Sequence, residues 1–382
     1  MQCDFSTANR IIFGNGSLQQ LPELIKPLGK RTLLIKTASM NNAIEDLFME
    51  KYSDIVSYIS SGEPDTDSVE SVLKLARDHR CDIVISAGGG SVVDTGKAVS
   101  ALLTNKGNLL DYLEVVGKGL PLKKSSKPFI AIPTTAGTGS EVTKNAVIGV
   151  PSSGVKVSMR SVFMLPLIAL VDPLLTISLP PNVTASTGMD AFTQVIEPYV
   201  SKRANPMTDI FCRDAIKRAA KYLKQAFIDG DDIEARENMS WVSLLGGLSL
   251  ANAGLGAVHG FAGVIGGMFK APHGVICASL LPAVIEVNIA ALSKINKYHP
   301  VLDKYRDITE WVTGISDTRP EELVDWFREL YKFLKIPGLS SLGVRENDLN
   351  LIIQKSKNAS SMKANPVELS DDELMRILEF SY

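Results

Sequence analysis

The sequence predicts an α/β amino-terminal half followed by an all-helical carboxyl-terminal half. Three observations carry this expectation. Short β-branched runs alternate with longer amphipathic segments in the first half, the strand signal stops at Pro180-Pro181, and long helical patterns fill the rest. Alternation of this kind specifies parallel βαβ units, because a strand returns parallel to its neighbour only through a crossover. The expected domains are therefore 1–180, built on a parallel Rossmann-like sheet, and 181–382, built from helices. No internal repeat or low-complexity tract competes with that division.

In chain order, the expected strands are RTLLIK (31–36), DIVSYIS (54–60), DIVISA (82–87) and PFIAI (128–132). Between the second and third lies DSVESVLKLARDHR (67–80), where Val69, Val72, Leu73 and Ala76 fall at helical spacing and form the face expected against a sheet. Past Pro181 the helical patterns are TASTGMDAFTQVIEPYVS, ANPMTDIFCRDAIKRAAKYLKQAF, ENMSWVSLLGGLSLANAG, PEELVDWFRELYKFL and DDELMRILEF.

Two loops in the first half have the chemistry of a phosphate cradle. Gly88, Gly89, Gly90 and Ser91 come directly after DIVISA and directly before a helical pattern, Val92 to Ala101. Glycines let backbone approach a pyrophosphate, and the helix behind them offers unpaired N–H groups and a positive dipole end. A glycine triplet alone is equally a turn, and this one lacks the GxGxxG spacing. The second loop, Thr134-Thr135-Ala136-Gly137-Thr138-Gly139-Ser140, follows PFIAI and brings the hydroxyls of Thr134, Thr135, Thr138 and Ser140, with a capped turn as its plain reading. Loops at the carboxyl ends of neighbouring parallel strands converge on one crevice.

The second half holds a different constellation. The chain has four histidines, and two of them, His259 and His273, share the Gly-punctuated segment GLGAVHGFAGVIGGMFKAPHGVICASLLP. Upstream, Asp190 and Gln194 are spaced i,i+4 and project from one helix face. Two imidazoles, a carboxylate and an amide oxygen make a four-ligand site for a divalent ion, Fe(II) or Zn(II) by donor type. The alternative is a pair of hydrogen-bonded core histidines.

Composition narrows the partners. The chain of 382 residues is 45% hydrophobic and 21% charged, with 40 basic and 42 acidic residues, so no charge excess points to nucleic acid or an anionic membrane. Cys3, Cys81, Cys212 and Cys277 are widely spaced without a CxxC and read as small buried hydrophobes in a reducing compartment. MQCDFSTANRIIFG lacks the features of a signal peptide, and no uninterrupted apolar stretch reaches the ~18 residues of a membrane span. The expected location is the cytoplasm.

The motifs resemble the iron-containing alcohol dehydrogenase family along nearly the whole chain. They are GGGSVVDTGKAVS from Gly88, PTTAGTGSEVTKNAVI from Pro133, VDPLL from Val171, TASTGMDAF from Thr184, VHGFAG from Val258 and APHGV from Ala271, in matching order and spacing. The resemblance implies a nicotinamide-dependent oxidoreductase that interconverts an alcohol with an aldehyde or ketone, and a homodimer. It implies metal ligands at Asp190, Gln194, His259 and His273, of which Gln194 departs from the family's histidine. Gly263 is a second departure, where many relatives carry a further histidine. The two polar loops would hold the pyrophosphate and nicotinamide side of NAD or NADP, with Asp94 near the nicotinamide ribose and substrate and Lys156 lining the cofactor site. Thr37, Ala38 and Ser39, at the end of the strand RTLLIK, would meet the adenosine ribose. Ala38 stands where strictly NAD-dependent relatives carry an Asp, so NADP is admitted, and Lys36 is a candidate partner for its phosphate. The losses at Gln194 and Gly263 keep two alternatives open: a metal-independent reductase of the same fold, similar to maleylacetate reductase, and a catalytically silent nucleotide-binding protein.

Overall fold

A computed structural model describes residues 4–48 and 54–382. Cys3 lies outside them. The chain divides into two compact units, one formed by Phe5–Thr135 with Gly139–Ile177, the other centred on Ser178–Tyr382 and including Ala136–Thr138.

The first unit contains eight strands among the described residues: β1 Arg10–Phe13, β2 Thr32–Thr37, β3 Ile55–Ser60, β4 Ile83–Gly88, β5 Phe129–Pro133, β6 Asn145–Val150, β7 Val155–Arg160 and β8 Ile168–Val171. Its helices are α1 Leu21–Ile25, α2 Ala43–Phe48, α3 Thr66–Asp78, α4 Gly90–Leu102 and α5 Leu109–Tyr112. Six strands form one sheet in the order β1-β8-β5-β4-β2-β3, every pairing parallel. Alternate residues feed opposite faces: Leu33, Ile35, Val84, Phe129 and Ala131 enter one core, and Leu34, Ile83, Ile85, Ile130 and Ile132 enter the other. Burial on both faces is why these strands are continuously apolar. Helix α3 buries Val69, Val72, Leu73 and Ala76, the face its spacing predicts, and its first turn is closed by a capping box between Asp65 and Ser68.

Four strands went unread in the sequence. Strands β1 and β8 are four residues each, too short for a periodic signal, yet they pair with one another, and β8 also pairs with β5. RTLLIK is consequently the second strand rather than the first. Strands β6 and β7 form an antiparallel hairpin outside the main sheet, joined through Pro151–Ser153 and a left-handed Gly154.

The second unit is helical: α6 Pro181–Val200, α7 Pro206–Ile228, α8 Ile233–Ala253, α9 Ala257–Phe269, α10 His273–Ile295, α11 Pro300–Thr313, α12 Glu322–Leu334, α13 Leu349–Ser356 and α14 Asp371–Phe380. Helix α10 is long and apolar enough to cross a bilayer, but 83% of its most apolar window is buried among α6, α9, α12 and α14. Its hydropathy therefore reflects a core helix.

Candidate metal centre and nucleotide loops

The helical unit gathers five potential donors. Asp190 and Gln194 lie one turn apart on α6, His259 is in the first turn of α9, and His273 opens α10, with Cys277 one turn below it. Asp190 Oδ1 is 3.3 Å from His259 Nε2 and 3.8 Å from His273 Nε2. The Cys277 sulfur is 3.8 Å from the first of these nitrogens and 3.6 Å from the second. One donor atom from each of Asp190, His259, His273 and Cys277 lies within 4.8 Å of all the others. Asp190, Gln194 and Cys277 are buried, His259 is 9% exposed, and the His273 side chain reaches solvent with about a third of its surface, 35%.

Glu197, a further turn along α6, organises the histidine. One carboxylate oxygen accepts the Val258 N–H at 2.7 Å, capping the start of α9, and the other faces His259 Nδ1 at 2.6 Å. A carboxylate at a helix amino terminus is favoured by the helix dipole. The same group fixes the imidazole so that Nε2 points at Asp190. Space for Glu197 depends on Gly256, where a Cβ would come within 2.8 Å of its carboxylate. Asn365 accepts the Ala257 N–H at 3.1 Å and exchanges hydrogen bonds with Asn288, holding the same helix start from the other side.

The electrostatics favour positive charge among these groups. Burial disfavours the protonated form of His259, but the Cys277 sulfur, Glu197 and Asp190 outweigh it and raise its pKa well above the ordinary value. Against the same burial, Cys277 and Asp190 lift His273 to about 9. Burial pushes the Asp190 carboxyl up, whereas the two imidazoles and a hydrogen bond from Gln194 bring it down to about 2. Even so, Asp190 Oδ1 and Gln194 Oε1 are buried without a hydrogen-bond partner. Such orphaned acceptors are costly unless something else satisfies them. A divalent cation would do so, and carboxylate, imidazole and thiolate are donors that Zn(II) and Fe(II) accept.

Glu197 and Cys277 were not among the expected site residues. Position supplied the signal for both: Glu197 follows Asp190 by seven residues and Cys277 follows His273 by four, so each shares a helix face with an expected ligand. Cys81 and Cys212 fit the small-hydrophobe reading, since burial raises their thiols to about 11 and about 12.

In the α/β unit the two loops adjoin. Gly88 pairs with Pro133 at the carboxyl ends of β4 and β5, and the Thr134 N–H donates to the Gly88 carbonyl at 3.0 Å. Gly88 is required by a close approach, because a Cβ there would lie 2.5 Å from Val92. Gly89 is the cap residue of α4 and Gly90 and Ser91 form its first turn, with no side chain capping the helix, the arrangement that leaves backbone N–H groups for an anion. Thr135 is close to Gly89, and Gly137 packs on Thr187 in the helical unit with Thr138 beside it in sequence.

Asp94 is engaged on both oxygens. Oδ1 accepts the Ser140 hydroxyl at 2.5 Å and the Lys97 ammonium at 3.2 Å, and Oδ2 accepts the Val147 N–H at 2.8 Å. Lys97 is wholly buried and also donates to Ser140 Oγ, Thr143 Oγ1 and the Asn145 carbonyl at 2.6 to 2.8 Å. Burial lowers its pKa, partly countered by Asp94 and Glu141. Lys156 lies on β7, 3.3 Å from Glu63. Thr37 ends β2, with Ala38 and Ser39 exposed in the short turn that follows. Lys36 is turned the other way: it is buried against Glu45, 2.5 Å away, and the Asn41 carbonyl, which removes it as a phosphate partner.

Comparison with known proteins bears on both units. Residues 8–173 match a family profile described as iron-containing alcohol dehydrogenase, and residues 184–382 match the carboxyl-terminal profile of the Fe-containing alcohol dehydrogenase family. The 1,3-propanediol dehydrogenase of Citrobacter freundii is 34% identical across 99% of this chain and 98% of its own. Long-chain-alcohol dehydrogenase 1 of Geobacillus thermodenitrificans is 38% identical across 98% of this chain and 96% of its own. A crystal structure of 1,3-propanediol oxidoreductase superposes with a TM-score of 0.92 at 31% identity, covering 100% of both chains.

Proposed function

We propose a metal-assisted hydride transfer for this chain, which belongs to the iron-containing alcohol dehydrogenase family. It is an alcohol dehydrogenase, an NAD(P)-dependent oxidoreductase that interconverts an alcohol with an aldehyde or ketone. Asp190, His259 and His273 hold a divalent cation, with Gln194 and Cys277 beside them. When bound, such an ion acts as a Lewis acid on the substrate oxygen and contributes several kcal/mol of charge stabilisation.

The chain's own groups account for the rest. Glu197 orients His259 and keeps its Nε2 free to face the cation. The helix start at Gly89-Gly90-Ser91, joined to Thr134 through the Gly88 carbonyl, receives the cofactor pyrophosphate. Lys97 and Asp94 brace Ser140 and the start of β6, fixing the second loop, while Lys156 lines the cofactor site. Ala38 and Ser39 face the adenosine ribose without a carboxylate, which admits NADP as well as NAD. The working assembly is a homodimer.

One observation carries the metal reading: the buried Asp190 Oδ1, lacking a hydrogen-bond partner, faces the Nε2 atoms of both histidines. Turnover of an aldehyde and ketone panel with NADH and NADPH, before and after a chelator and after readdition of Fe(II) or Zn(II), tests it. Loss with the chelator and recovery with one ion is expected. Turnover indifferent to the chelator, in protein shown to be metal-free, selects the metal-independent reductase instead.

A further inference from the structure

We infer that Cys277 is the fourth protein ligand of this centre, taking the place of the histidine that Gln194 has replaced, in an Asp-His-His-Cys shell suited to Zn(II). The inference rests on the metal-assisted reading above and specifies its ligand set. The first ground is geometric. A tetrahedral zinc about 2.0–2.3 Å from nitrogen, oxygen and sulfur donors spaces those donors about 3.3–3.7 Å apart. The separations in the structure are 3.3 and 3.8 Å from Asp190 Oδ1 to the imidazoles and 3.8 and 3.6 Å from the Cys277 sulfur to the same atoms. These four separations fall in or next to that range, and the two remaining donor pairs lie within 4.8 Å.

The second ground is local structure. His273 and Cys277 are the first and fifth residues of α10, so helix periodicity places them on one face. Glu197 turns His259 Nε2 towards the same point. Asp190 Oδ1 at that point is buried and unpartnered, as is Gln194 Oε1 one turn along α6.

The third ground is donor chemistry. Gln194 lies one turn beyond Asp190 on α6, whereas the Cys277 sulfur lies 3.8 and 3.6 Å from the two imidazole nitrogens. The Gln194 oxygen is also a neutral donor, weaker for Zn(II) than the thiolate Cys277 becomes on ligation, when the thiol proton passes to solvent. Sulfur in the shell shifts preference from Fe(II) towards Zn(II).

The test uses the whole chain purified without chelator and loaded with Zn(II) or Co(II) alone. X-ray absorption at the zinc edge should show one sulfur at about 2.3 Å among nitrogen and oxygen neighbours. The Co(II) form should carry a sulfur-to-cobalt charge-transfer band in the near ultraviolet. Cys277→Ser should lose both signals and weaken Zn(II) binding by about 10–100-fold or more. Cys277→Ala should do the same if serine perturbs folding, and Gln194→Ala should keep the sulfur signals. Stoichiometric zinc bound only by nitrogen and oxygen would overturn the Cys277 ligand and leave the metal reading standing. A wild-type protein that binds neither ion would overturn both.

Discussion

Glu197 Oε2 lies 2.6 Å from His259 Nδ1 while its other oxygen caps the backbone of Val258, the residue before. A single carboxylate thus sets both the start of a helix and the direction of the imidazole that the helix presents.

Glu197→Gln separates those tasks, because the amide oxygen can still accept from Val258 whereas the charge on His259 is lost. Zn(II) affinity, measured by competition with a chelator, should fall about 10–100-fold with little change in the circular dichroism spectrum. Unchanged affinity would reduce Glu197 to a helix cap.

His259→Ala and His273→Ala should each abolish metal binding and lower kcat/KM at least about a hundredfold, on the order of 3 kcal/mol of transition-state stabilisation. Cofactor affinity, read by fluorescence titration, should change far less. Normal turnover in both variants is the result that rejects a metal-assisted reaction.

Ala38→Asp should shift cofactor use towards NAD. The new carboxylate would accept from a ribose 2′-hydroxyl and repel a 2′-phosphate. The ratio of kcat/KM for the two cofactors measures it, and a wild type already restricted to NAD would show that another residue reads the ribose.

Gly263 is in the middle of α9, one turn beyond His259, and a Cβ there would meet nothing within 4 Å. Gly263→Ala should therefore stabilise the helical unit by about 1 kcal/mol, the helix-propensity difference between the two residues, seen as a raised Tm. A lowered Tm would mean that the space is already used.

Much of this was legible in the sequence because it depends on spacing. The buried face of α3 follows from a period, the glycine turn from its position between a strand and a helix, and the shared face of Asp190 and Gln194 on α6 from their spacing of one turn. Strands β1 and β8 escaped because four residues next to a pre-existing sheet edge need no strong pattern of their own. The β6–β7 hairpin escaped because Gly149 and the Pro151–Gly154 turn interrupt its alternation. Cys277 was hidden by its neighbours, since one sulfur in ICASLLP looks like another small apolar residue. Lys36 misled for the opposite reason: a basic residue beside the ribose positions invites a phosphate, but Glu45 already neutralises it within the fold.

Glu141 gives the α/β unit a pH signature. Burial raises its pKa from the ordinary carboxylate value to about 7, with Lys97 pulling the other way. The folded state holds this proton more tightly than the unfolded chain, so the stabilisation is complete below about pH 4.5 and is lost as the pH rises through about 7. The loss is on the order of 3 kcal/mol. Glu141→Gln cannot ionise, and its Tm should gain on the wild type between pH 5 and pH 8. A constant difference across that range would mean that Glu141 does not titrate there.

Helix α10 also constrains how the protein is made. Its partners α6 and α9 precede it in the chain, but α12 and α14 come after it. A ribosome that has just released α10 therefore holds a long apolar helix still missing part of its cover, the kind of surface on which nascent chains associate and chaperones act. Nascent chains paused before α12 should be the most prone to aggregate.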